Sequence, residues 1–226
     1  MQDLLRTLLP NVMEKLPVFF ESIVETLVMT GWAGAIAFVL GSVLGVVITV
    51  TKKGAILQNA GIYQVLDKVI NFFRSIPFII LLACLFPLTR AIMGTAIGVQ
   101  GAIVPLVFGT VPFFARQIES ALAEVNPGLI EAAQSMGSGP FGIIFRVYLK
   151  ESVAPIARVT TITAISLVGL TAMAGAVGAG GLGDFAIRFG YQRNQVDATY
   201  ASVIVIVLIV GVVQAIGNWI VRKATH

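Results

Sequence analysis

Charge is scarce in this chain. Of its 226 residues only 12% are Asp, Glu, Lys or Arg, against roughly 25% in a soluble domain. Hydrophobic residues make up 57%, and the mean hydropathy is +0.94. That balance excludes an ordinary soluble domain and indicates an integral membrane protein. There is one cysteine, Cys84, which excludes an internal disulfide framework and a Cys-rich metal site. The one histidine, His226, is the last residue and reads as solvated. No Gly-x-x-x-x-Gly-Lys-Ser/Thr stretch occurs, so the chain carries no phosphate loop with which to hydrolyse ATP itself. Asp, Glu, Lys and His are missing from the middle of each apolar run, which argues against a proton relay, an ion-coupled carrier or an intramembrane protease. The net charge of +4 is no nucleic-acid footprint, because the basic residues mostly flank the apolar runs.

The apolar runs set the architecture. A membrane-spanning helix needs ~20 apolar residues, and five runs meet that need, at about 22–50, 69–88, 94–114, 153–177 and 198–221. The expected fold is therefore an all-α integral membrane protein, a single domain over residues 1–226. The mixed stretch before Ser22 suits a helix on the membrane surface, with Glu25 close enough to the start of the first span to reach the interface. Gly41 and Gly45 form a Gly-x-x-x-Gly pair, a common device for close helix contact in lipid. Arg74 and Pro77 fall near the start of the second span; Arg74 either reaches the headgroups or anchors the inner side of the bundle. Pro105 and Pro112 interrupt the third span.

The interval from about 116 to 151 is different in kind. It holds Glu119, Glu124, Glu131, Arg146, Lys150 and Glu151. Asn126 before Pro127 is a helix start, Gly137 a helix stop, and Ser138-Gly139-Pro140 a restart. The prediction is a helical hairpin outside the membrane. Leu129, Ala133 and Met136 fall on one face. Ala132 and Ala133 are small enough to let another surface approach, and Glu131 offers a charge.

The fourth span is the richest in hydroxyls and small residues, including Ser166, Thr171 and Gly175, and ends in the glycine-rich run Gly175–Gly183. So many glycines cannot be helix interior; they predict a loop or a close crossing of backbones. Ser166, Thr171, Met173 and Gly175 are candidates for a narrow translocation path or gate, with plain helix packing as the alternative. With the 116–151 hairpin placed in the cytoplasm, ten of the fifteen Lys and Arg residues lie inside. This puts the N-terminus outside and the C-terminus inside.

The sequence Glu131-Ala132-Ala133, three residues, then Gly137 resembles the coupling loop of ABC importer permeases, which in that family docks into a separate ATPase subunit. Lys150 stands where the family pattern ends in proline, so the exit from the loop is expected to be less sharply broken. Three further stretches, Phe73-Arg74-Ser75-Ile76-Pro77-Phe78, Ile103-Val104-Pro105-Leu106 and Ala172-Met173 with Gly175–Gly183, resemble the bacterial methionine importer permeases. The resemblance implies the type I importer permease fold and a homodimer with two copies of a cytoplasmic ATPase. It further implies a methionine-binding lipoprotein on the outer face of the inner membrane. ATP and Mg would be held by the partner ATPase, with no cofactor in this chain and no nucleic-acid partner. Glu131, Ala132, Ala133 and Gly137 would transmit the force of ATP binding. The substrate would be L-methionine, with D-methionine as a further one. Other small solutes (a polar amino acid, a phosphonate, a quaternary amine), or a passive channel or scaffold, are the alternatives.

Overall fold

The computed structural model describes residues 9–224. Its regular structure among these residues is entirely helical. A short helix α1 (Pro10–Glu14) precedes α2 (Leu16–Thr51), a single helix of 36 residues. At 1.5 Å per residue it runs ~54 Å, well beyond the ~30 Å hydrocarbon layer of a bilayer. It begins six residues before the predicted first span, so Glu25 lies in its third turn. Residues 1–8 and residues 225–226, with the terminal His226, fall outside the description.

The second predicted span is not one helix. Helix α3 (Ala60–Ser75) is N-capped by Asn59, whose side chain accepts from Ile62 N at 3.1 Å. It stops because Pro77 holds Ile76 extended, at φ −85° and ψ 123°. The apolar run resumes as α4 (Phe78–Cys84) and α5 (Phe86–Met93). Pro77 is thus the cap before α4. Four helices among the described residues are long and apolar enough to cross a membrane: α2, α6 (Gly98–Leu122), α10 (Val153–Gly175) and α12 (Val196–Ala224).

Helix α6 passes Pro105 and Pro112 without a break and continues to Leu122. Arg116 and Glu119 therefore belong to this helix, and the hairpin begins later than predicted. The hairpin helix α7 spans Pro127–Ser135. After it come α8 (Pro140–Ile143), a π-helical segment (Ile144–Tyr148) and the single turn α9 (Leu149–Glu151), leading into α10. Lys150 keeps its N–H and lies in helix, as its identity predicts. The segment 184–197, between the last two apolar runs, is mostly helical: α11 (Gly181–Phe185) runs into a second π-helical segment (Ala186–Tyr191) before α12 starts.

The chain divides into two compact units, and the four long helices contribute to both. The first takes the chain up to Ala35 with Pro77–Phe108 and Ala164–Val213. Its core groups Phe19, Leu182, Phe185 and Ala198 in one cluster and Met29, Leu106 and Leu167 in another. Phe19 and Phe185 meet edge to face at 5.0 Å, the favoured arrangement of aromatic pairs. Asn11 donates from its backbone and its side chain to Asp197, both at 2.9 Å, tying α1 to the first turn of α12. The second unit takes Ile36–Ile76, Gly109–Thr163 and the chain from Gln214. Its core gathers Val50, Phe114, Ile118, Leu122, Ile143 and Tyr148. The Gly41/Gly45 pair is in use here: a Cβ on Gly45 would stand 2.5 Å from Ile118 Cβ, and one on Gly41 2.7 Å from the Phe114 ring. These two glycines let α6 lie directly on the α2 backbone.

Candidate functional site

The hairpin is built as its punctuation predicts. Asn126 Oδ1 accepts from Gly128 N at 2.9 Å, filling one orphan donor of the first turn, and Pro127 occupies a position with no N–H to satisfy. At the far end Gly137 adopts φ +76°. Ser138 N then reaches Ala133 O at 3.0 Å and Gly137 N reaches Gln134 O at 2.9 Å, the paired bonds of a Schellman stop.

Which face looks outward differs from the prediction. Ala133 is only 5% exposed and packs into the core of the second unit with Leu122, Val125, Ile143 and Tyr148. The outward face is Leu129, Ala132 and Met136, at i, i+3 and i+7, with Met136 79% exposed. Ala132 is thus a notch between two large apolar side chains, and Ala133 is the residue that seats the hairpin on its own chain. Glu131 is exposed on another side of the helix. Phe141 and Phe145 follow, also largely exposed. Glu131 is the single charged residue of α7. Burial pushes the Tyr148 phenol above its ordinary value, so it stays neutral beneath the hairpin.

A second feature of this unit lay hidden in the sequence. The Arg116 guanidinium on α6 donates to Asp67 on α3, to Glu119 at 2.6 Å and to Asn71 at 3.2 Å. One side chain thus fixes α3 against α6. Arg74, the sequence's candidate for an inner anchor, is exposed in the last turn of α3, where a positive charge suits the helix dipole. In this unit the guanidinium that ties two helices together is that of Arg116. Its signal was the spacing Asp67-x-x-x-Asn71 on one helix face, facing a lone arginine three residues before a glutamate.

In the first unit, the predicted path residues split into two sets. Ser166 and Met173 are exposed on α10, and with Gly169 they form a stripe at i, i+3 and i+7. Thr171 is 1% exposed and donates to its own helix, at Val168 O, 2.7 Å away. Gly175 is buried, and a Cβ there would stand 2.5 Å from Asp184 N. Thr171 and Gly175 are therefore packed within the unit, and Ser166 and Met173 lie on its open side.

The glycine-rich run is both a loop and a close crossing. Gly178, Gly180 and Gly181 all have φ between +77° and +92°, a region L side chains avoid. Gly183 passes against the carbonyl of Ala172 with no room for a side chain. Three contacts hold the turn from outside. Gly98 N donates to Gly178 O at 3.2 Å. Gly181 N donates to Glu25 Oε2 at 2.6 Å. Leu182 N donates to Thr26 Oγ1 at 2.9 Å, while that hydroxyl itself donates to Ser22 O. Glu25 and Thr26 thus supply the acceptors for the first N–H groups of α11. Placing Glu25 at the membrane interface hid this role; with the helix start at Leu16, a Glu-Thr pair in the third turn of an apolar helix is a signal.

Residues 37–225 match the family model described as the binding-protein-dependent transport system inner membrane component. The chain is 46% identical over 202 residues to a Vibrio cholerae protein named "Probable D-methionine transport system permease protein MetI", covering 89% of this chain and 90% of that one. It is 50% identical over 129 residues to the D-methionine transport system permease protein MetI of Escherichia coli, or 57% of this chain and 59% of that one. A solved chain of the MetNI methionine ABC transporter in an inward-facing conformation superposes with a TM-score of 0.92 at 43% identity, over 94% of this chain and 99% of that one. An amino acid ABC transporter with histidines superposes at 0.76 with 16% identity, a likeness of fold alone.

Proposed function

We propose, since this chain belongs to the family of binding-protein-dependent transport system inner membrane components, that it is the permease subunit of an ATP-driven importer of methionine. The whole-chain likeness to methionine transport permeases carries the substrate assignment. The hairpin geometry supports the energy source: a capped and stopped helix, seated by Ala133 and presenting Leu129, Ala132 and Met136, suits docking into a separate ATPase.

In this reading residues 1–226 form one permease domain with five crossings, the second made by the broken stretch from α3 to α5. Two copies pair, and each engages one cytoplasmic ATPase subunit that holds ATP and Mg. The hairpin and the C-terminus lie in the cytoplasm, and a methionine-binding lipoprotein delivers substrate on the other side. Closure of the ATPases draws the hairpins together, and the helices follow because α7 is packed into its own chain rather than hinged. The Ser166–Gly169–Met173 stripe lines the path, with Met173 as a soft contact for a thioether. Glu131 and Gly137 serve the hairpin, one as an exposed charge and the other as its stop.

The test is uptake of labelled L-methionine and D-methionine into vesicles holding this chain, its ATPase and its binding protein. ATP-dependent uptake, competed by excess methionine, is the expected result. ATPase activity stimulated only by a binding protein loaded with another solute would keep the permease and discard methionine.

A further inference from the structure

A groove of about 640 Å³ lies within the second unit, in the ~300–1,000 Å³ range of small-ligand sites. One wall is the end of α2, where Val43, Val47 and Val50 line it. From Val43 to Val50 that wall rises ~10 Å, long enough for a stretch of extended hydrocarbon. The facing wall is the elbow after the hairpin, with Phe141 and Phe145, whose rings are 74% and 66% exposed as residues. Two of the groove's three polar side chains are already committed. Thr51 Oγ1 donates to Val47 O at 2.7 Å and Asn59 caps α3. The interior therefore calls for an apolar occupant.

The flanks call for a negative charge. Lys52 and Lys53 directly follow the lining residue Thr51, Arg146 follows Phe145, and Lys150 follows Leu149. All four are exposed, and among the described residues none of them is in an ion pair. No carboxylate lines the groove. An apolar channel whose lining residues are followed by four bases matches an anionic phospholipid, with its acyl chain between α2 and the elbow and its phosphate on the lysines and arginine. A second copy of this chain is the poorer match, because a two-fold contact brings the same patch against itself and would set these bases against their own kind.

We infer that this groove is a binding site for an anionic phospholipid, and that the bound acyl chain braces the elbow carrying the coupling hairpin against the last turns of α2. The lipid would then be part of the coupling apparatus. The inference stands on the groove and its charges and does not depend on which solute is carried.

The experiment is native mass spectrometry of the assembled transporter, taken from membranes and exchanged into mixed phosphatidylglycerol and phosphatidylcholine. Wild type is expected to retain phosphatidylglycerol over phosphatidylcholine by about tenfold. Val43→Trp, which fills the groove from an exposed position, and the double change Lys52→Gln with Lys53→Gln should each lower that retention at least fivefold. Photoactivatable phosphatidylglycerol on the wild-type complex keeps the test independent of variant folding; its label should fall on peptides containing Val43, Phe141 or Phe145. Equal retention of both lipids, undiminished phosphatidylglycerol in Val43→Trp, or label spread without preference for these peptides would each overturn the site. So would a disulfide between two copies carrying Val43→Cys in a Cys84→Ser background, since the groove would then be an interface between copies.

Discussion

Replacing Glu25 with alanine tests whether the glycine-rich turn is held from α2. The carboxylate accepts from Gly181 N at 2.6 Å, and Gly181 has no side chain with which to cover its own N–H. A hydrogen bond to a charged group contributes ~1.5–3 kcal/mol, and an orphaned N–H costs a similar amount. Loss of Glu25 should therefore shift the balance between the docked and the loosened turn by ~12- to 150-fold, at ~1.4 kcal/mol per factor of ten. Thr26 still holds Leu182 N at 2.9 Å, so the turn should loosen rather than unfold the unit. Glu25→Gln keeps an oxygen acceptor without the charge, and charge-assisted bonds are about twice as strong as neutral ones. The expected order is wild type, then Gln, then Ala, in two readouts from the same vesicles: methionine uptake per ATP hydrolysed, and the unfolding temperature of the purified complex. A drop of several-fold in uptake per ATP for Ala, with partial recovery for Gln, is the prediction. Wild-type uptake and an unchanged unfolding temperature in Glu25→Ala would refute it. Gln behaving like Ala in both readouts would show that the bond's charge, and not its geometry, is what matters.

Ala132→Trp and Ala133→Trp should fail in opposite ways. The first, on the open face, should leave a folded permease that no longer stimulates its ATPase; the second, buried in the core, should cost ~1–3 kcal/mol or more through overpacking and lower the yield of folded protein in detergent. Arg116→Leu should be destabilising by ~1–3 kcal/mol, because it leaves the half-buried Asp67 and Glu119 without their charged donor, and adding Asp67→Asn with Glu119→Gln should recover part of that loss in a thermal-unfolding assay. Gly137→Ala places a side chain at φ +76° and should cost ~1 kcal/mol, read as faster proteolysis at the hairpin. Met173→Ala, on the exposed stripe, should change the KM or rate of methionine uptake by several-fold without moving the unfolding temperature, whereas Thr171→Val, on the buried side, should leave the KM unchanged.

Much of the helical layout was legible because long apolar runs and helix punctuation are local signals. Asn126-Pro127 and Gly137 fixed the hairpin helix to within two residues, since caps and stops act on their own backbone. What could not be read was whatever depends on a partner distant in sequence. Helix α6 outruns its apolar segment because Arg116 finds Asp67 49 residues earlier; without that partner the charge looks like the start of a loop. The same holds for α2, whose early start converts Glu25 from an interfacial charge into a cap for a turn 156 residues away. Pro77 ended a helix where the hydropathy continued, because a missing N–H and a steric clash are blind to how apolar the flanking residues are.

Face assignment was the other blind spot, and its cause bears on how such a chain works. In α7 and its cap the apolar positions Leu129, Ile130, Ala133 and Met136 span more than a single stripe, so spacing alone cannot say which part is core. The structure divides them: Ile130 and Ala133 turn inward, and Leu129 and Met136 turn out around Ala132. The same division recurs in α10, where Thr171 and Gly175 pack and Ser166, Gly169 and Met173 stay open. A helix with one face committed and the other uncommitted can be pushed from the open side without losing its seat. In the proposed coupling, force applied at Ala132 reaches the chain through the inward contacts of Ile130 and Ala133. Separating the two alanines by mutation therefore separates transmission from folding, two functions that a single Glu-Ala-Ala motif leaves fused.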